Sequence, residues 1–229
     1  MKFKNLEFFG LFLLVAAIAG FWPTYFSKLF DGRADFRYYF HLHSVTSSLW
    51  VGLLILQPLL IRLKLRSWHG LVGKSSYVLA PMVLVSAMLL NHYRFHQVEK
   101  NASASLLASG GLLIIFLLGF GLAIVKRRDP NIHARGMIVT GMALIWPATG
   151  RFVGNVLNMS GELGFLLGVA PLYLLLITFI YLERDSSRAR WVFPSAMALF
   201  LINNALIKMQ YFPKFWESFA LWYYSLPLT

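Results

Sequence analysis

Seven stretches of mainly apolar residues, each long enough to cross a bilayer, leave this chain almost no choice of fold. A span needs about 20 such residues, and the candidates run approximately over residues 8–26, 39–61, 71–92, 104–125, 134–156, 162–182 and 191–211. Inside hydrocarbon every backbone polar group must be paired within the protein, so runs of this length form helices. The expected architecture is an all-α polytopic membrane bundle, read as one domain over residues 1–229 with no soluble domain appended. The amino terminus combines a basic start, an apolar run and small residues, the marks of a signal peptide; we read it as a retained first span. After the seventh stretch, FWESFALWYYSLPLT is too short to cross again and rich in Trp and Tyr, which suits an interfacial aromatic tail.

Charge sets the expected orientation. The net charge of +12 would suggest nucleic acid in a soluble protein, yet the basic residues stand in short clusters between apolar runs. Thirteen Lys and Arg fall on the amino-terminal side and eight on the other, with RLKLR, KRR and RDSSRAR on the richer side. The positive-inside rule then places the amino terminus in the cytoplasm and the carboxyl terminus outside. The expected setting is a bacterial inner membrane, with the lipid bilayer as first partner, a membrane-complex partner as a further one, and no nucleic acid. No cysteine is present, which excludes disulfides, thiolate metal sites and cysteine nucleophiles. Nucleophile-elbow, phosphate-loop and HExxH signatures are also missing from the spans.

Polar residues inside membrane spans are functional candidates by default. On the second span His43, Ser47, Trp50, Leu54 and Gln57 share one helical face, which should point at protein. The six histidines sort into two layers. His41, His43, His92 and His96 lie toward the external side, and His69 and His133 toward the cytoplasmic side. His92 and His96 are four residues apart and share a face if their helix continues; with His43 they form a candidate metal site for zinc or copper, completed by water, Asp35, Glu99 or Glu162. His41, about 200° away from His43 around the helix, should face a loop. The cytoplasmic pair, His69 and His133, are candidate heme b ligands. His133, Met137, Thr140, Leu144 and Arg151 share a face, and Arg151 must meet an anion, a carboxylate or a heme propionate, or snorkel outward. One cofactor site in one layer is expected over two, and the external layer is the better candidate: a histidine-lined polar site near the external face, built on His43, His92 and His96, that binds heme or a transition metal in a redox or cytochrome-maturation role.

The remaining polar and breaking residues read as architecture. Gly150 with Gly154, and Gly164 with Gly168, have small-xxx-small spacing for close packing. Pro58, Pro81, Pro147, Pro171 and Pro194 should kink their spans, and Asn203 and Asn204 should bond across helices.

Three local motifs carry a resemblance. One is a span opening on His43 and passing through Trp50 to Gln57. The second is His69 ahead of Gly73, with Gly70 in the place usually held by Arg. The third is His133, Arg135 and Met137 leading to Arg151. Over roughly residues 40–155 the chain resembles an uncharacterised group of bacterial multi-pass membrane proteins, and more distantly cytochrome-oxidase maturation proteins and b-type cytochromes. That resemblance implies a heme-linked or redox role. A small-molecule transporter or binding bundle lined by Gln57 and Arg151, or an assembly subunit without chemistry of its own, are the alternative readings.

Overall fold

The structure, a computed structural model, describes residues 6–33, 37–98, 101–184 and 189–229. Among these there is no strand, and seven helical segments are long and apolar enough to cross a membrane. We number the helices α1 (Glu7–Phe30), α2 (Tyr38–Arg62), α3 (Arg66–Gly73), α4 (Ser76–Val98), α5 (Ala102–Val125), α6 (Pro130–Met142), α7 (Ile145–Asn155), α8 (Gly161–Leu182), α9 (Val192–Met209) and α10 (Lys214–Ser225). The spans are α1, α2, α4, α5, the α6–α7 pair, α8 and α9. We call the end of the bundle where α1 begins the N-side and the opposite end the far side.

Three features depart from the simple span pattern, each for a local reason. The fifth span is two helices, parted at Ala143 and Leu144. Pro147 has no N–H to offer the carbonyl four residues earlier, that of Ala143, and this is where the helix breaks. Pro58, Pro81 and Pro171 lie inside helices that continue past them. Ahead of the third span, residues 66–73 form a separate short helix, α3, and the chain turns at Lys74 and Ser75 before α4 starts. The tail forms helix α10, which folds back onto α4 and α5. The Tyr223 hydroxyl donates to the Met88 carbonyl (2.7 Å), that of Tyr224 to Asn91 Oδ1 (2.7 Å), and Trp216 Nε1 to the Ser103 carbonyl (3.2 Å).

The core is centred on Trp50, which is fully buried. Its indole N–H donates to Thr140 Oγ1 (3.1 Å), and its ring lies 4.9 Å from Phe116 and 5.6 Å from Phe120. An indole at membrane depth must find an acceptor, and this bond ties α2 to α6. Small residues let the backbones approach. A methyl on Gly20 would collide with the backbone of Ala148, so α1 rests directly on α7, and one on Gly168 would come 3.1 Å from the Gly150 Cα. Gly154 meets nothing within 4 Å, so only one member of its pair packs. Asn203 fills the space that a side chain on Gly111 would need, and Asn204 Nδ2 donates to the Tyr173 hydroxyl (2.8 Å).

Candidate functional site

The N-side site begins with the loop RRDP. Asp129 caps α6 by accepting the Asn131 N–H (2.9 Å), and Pro130 opens the helix where its missing N–H costs nothing. This places His133 in the first turn. There the His133 Nδ1 reaches the Ala123 carbonyl at 3.0 Å. Ala123 stands in the last turn of α5, where carbonyls lack a helical partner, so the imidazole supplies one. Close approach of α5 and α6 makes the bond possible. A methyl on Gly136 would come 2.6 Å from the Gly119 carbonyl oxygen and 2.9 Å from Ala123 Cβ.

His69, from α3, faces His133 with ring centres 6.3 Å apart and planes at 81°. Its Nδ1 lies 3.3 Å from the Gln57 carbonyl. The Gln57 side chain satisfies both of its ends when its oxygen accepts the Gly73 N–H (3.1 Å), which puts its nitrogen 3.2 Å from the His69 carbonyl and 2.5 Å from His69 Nδ1. Two states of His69 follow from the same geometry. With the amide donating to Nδ1, Nε2 keeps the proton; with Nδ1–H on the Gln57 carbonyl, Nε2 has a free lone pair. Gln57, Gly73 and His69 thus form a joint between α2 and α3.

Burial lowers the His69 pKa, the neighbouring His133 adds to that, and the Gln57 carbonyl opposes it. The sign fixes a pH dependence. A histidine whose folded pKa lies below its unfolded value of about 6.5 favours the folded state while neutral. Stability is therefore held above about pH 6.5 and declines as the pH falls below it. Thermal midpoints at pH 7.5 and 5.5 should show a drop in the wild type that is smaller in His69→Gln.

Two residues along α6 from His133, Arg135 Nε donates to Glu183 Oε2 at 2.8 Å, with both side chains at most 2% exposed. Arg135 Nη1 also donates to the Asn131 carbonyl (2.7 Å). The pair joins the start of α6 to the residue just past α8. On the same side Arg62 pairs with Glu7, linking α2 to α1.

The far-side histidines have different neighbours. His43 Nδ1 lies 3.2 Å from Ser86 Oγ, which in turn lies 2.8 Å from Thr46 Oγ1, and His43 Nε2 lies 3.5 Å from Ser47 Oγ. His92 is buried against the tail: its Nδ1 lies 2.7 Å from Thr229 Oγ1, and its ring centre is 5.3 Å from Tyr223. Helix α4 does continue past Asn91, and the rings of His92 and His96 meet edge-on with centres 4.8 Å apart and planes at 60°. Ser86 and His92, however, are six residues and so about 240° apart around α4. Measured the short way this is about 120°, so His43 and His92 address different sides of that helix. Among the described residues no group of three or more His, Asp or Glu converges to hold a metal. Asp35 and Glu99 lie outside the described residues, and Glu162 pairs with Lys208. His41 Nδ1 meets the Tyr25 hydroxyl at 2.9 Å.

Arg151 belongs to the far side as well. Eighteen residues separate it from His133, about 27 Å of helix, so it cannot reach a propionate of a heme held at His133. The sequence stripe through His43 and Gln57 drew attention to α2 and missed the positions that set the site: Gly119, Gly136 and the carbonyl of Ala123. The close approach pairs glycines on two different helices, which spacing along one helix does not reveal.

Fold and composition together define a multi-pass helical membrane protein that sits in a lipid bilayer. Comparison with protein-family models, with curated proteins and with solved structures finds no match.

Proposed function

We propose that the bundle holds a single heme b or transition-metal ion between His69 and His133 and works in electron transfer or in cytochrome maturation. The observation that carries this reading is the 6.3 Å separation of the two imidazole centres. A ring nitrogen lies about 2 Å from a metal it binds, and the ring centre about 1 Å further, so two imidazoles across one metal stand about 6 Å apart. The anchoring supports it too. Histidine ligands characteristically donate their second ring N–H to a carbonyl, which fixes the tautomer and aims the other nitrogen, and here Ala123 and Gln57 supply those carbonyls. The bound group would supply one-electron redox chemistry. The protein's own part is to orient the two rings from α3 and α6, to keep His69 neutral, and to hold the His69 ring against the Gln57 carbonyl. The excess of Lys and Arg on the N-side supports a site at the cytoplasmic face of a bacterial inner membrane under the positive-inside rule. The resemblance to b-type cytochromes points the same way.

Variants separate this site from the far-side histidines. His133→Ala and His69→Ala should each lower bound heme or metal at least tenfold in purified protein, whereas His43→Ala and His92→Ala should retain it. Retention in both N-side variants would contradict the assignment.

A further inference from the structure

A cleft of about 410 Å³ runs between α8 and α9 near their far-side ends, walled by Phe165, Val169, Ala170, Leu201 and Ala205 together with Tyr173, Asn204 and Lys208. That volume is in the range of small-molecule sites. Leu166 and Leu201, both on its walls, are 50% and 48% exposed, so in a bilayer the cleft opens to lipid. One polar pair interrupts the apolar wall. Asn204 is only 8% exposed, and its Nδ2 donates to the Tyr173 hydroxyl at 2.8 Å. The two side chains carry three polar hydrogens and spend one on each other. Among the described residues the Tyr173 O–H has no acceptor and Asn204 Oδ1 has no partner. Reversing the amide changes only the bookkeeping: Tyr173 then donates to Asn204, and both amide hydrogens are unspent. In either orientation the pair holds surplus donors beside a cleft filled from the lipid phase, where an unmet polar group is costly. Height along the spans narrows what can meet them. Glu162, in the first turn of α8, pairs with Lys208 near the end of α9, and both side chains are exposed, as charges in the polar layer of a bilayer are. Asn204 stands four residues inward of Lys208, about 6 Å of rise. That polar layer is about 5–7 Å deep on each side, so the donors lie at its inner boundary.

We propose that this cleft is a specific site for one acyl chain of a membrane glycerolipid, whose ester carbonyl accepts a hydrogen from the Tyr173–Asn204 pair. An ester carbonyl is a neutral acceptor that joins the polar head to the chain, so it sits at the inner boundary of the polar layer where these donors stand. The apolar walls then take the chain, with room left by the small side chains of Ala170 and Ala205. The headgroup lies over the Lys208–Glu162 pair, whose charges cancel, so the carbonyl and not a headgroup charge is what the site selects. A lipid held this way would bridge α8 and α9. Neither His69 nor His133 takes part, and the site stands or falls independently of the cofactor reading.

The test uses the full-length purified protein in vesicles made of equal parts of dioleoyl phosphatidylcholine and its diether analogue, which has the same head and chains but no carbonyl. After gentle extraction, retained lipid is read by native mass spectrometry. The wild type should keep about one lipid per chain and favour the ester form about fivefold, the effect of one neutral hydrogen bond. Tyr173→Phe combined with Asn204→Leu removes every donor of the pair and should abolish that preference. Ala205→Phe fills the cleft from an exposed position and should lose the lipid altogether, which keeps the test decisive if the double variant does not fold. Tyr181→Phe, at an exposed tyrosine of α8 outside the cleft, should behave as the wild type. Heme or metal content, read on the same samples, reports the N-side site separately. Equal retention of ester and ether lipid by the wild type, no retained lipid, or a preference that survives in the double variant would overturn the proposal.

Discussion

Replacing Arg135 by Ala should destabilise the protein more than any other single change at the N-side. The side chain is almost wholly buried, bonded to Glu183 and to the Asn131 carbonyl. Removing it leaves the Glu183 carboxylate sealed away without its partner, and Glu183 Oε1 already has no hydrogen bond among the described residues. Breaking a buried pair from one side costs about 3–5 kcal/mol, whereas replacing both partners by apolar residues of similar volume is often near neutral. Thermal midpoints should therefore order as wild type, then Arg135→Met with Glu183→Leu together, then Arg135→Ala far below. An Arg135→Ala protein as stable as the wild type would show that the pair does not tie α6 to the end of α8.

The second large effect is expected at Gly136. An added methyl meets the Gly119 carbonyl oxygen at 2.6 Å and the Ala123 backbone nitrogen at 2.9 Å, neither of which can swing aside as a side-chain tip can. Helices α5 and α6 must then separate, at a cost of about 1–3 kcal/mol for overpacking. The consequence extends beyond stability, because the same contact brings the His133 ring to the Ala123 carbonyl. Gly136→Ala should lower the thermal midpoint and also weaken heme or metal retention, although it touches neither imidazole. By comparison Gly121→Ala, where an added methyl meets nothing within 4 Å, should change neither quantity.

What the sequence made legible follows from which forces are local. Hydropathy alone located all seven spans, because apolar length is set by the bilayer and not by tertiary contacts. The eight-residue α3 was hidden, since Leu71 and Val72 merge with the apolar run that follows and the turn at Lys74 and Ser75 has no Gly-Pro signature of its own. Likewise the tail showed aromatic residues but not that Tyr223 and Tyr224 would dock on α4 and α5, a choice made by the acceptors Met88 and Asn91 on distant helices. His69 and His133 were recognisable as candidates by their place at span starts. Their mutual approach depends on two carbonyls and a pair of glycines on separate helices. For His43 and His92 the topology was right and the rotation was not legible: both lie toward one end of adjacent helices, but six residues of α4 between Ser86 and His92 turn them apart.

The most direct measurement is the oxidised and reduced absorption spectrum of the purified full-length protein, taken together with its heme and metal content. A bis-imidazole site between His69 and His133 predicts about one heme or one transition-metal ion per chain, with a Soret band that shifts on reduction if the group is heme. Protein produced with heme and metals in supply that shows neither a Soret band nor stoichiometric metal would contradict the account.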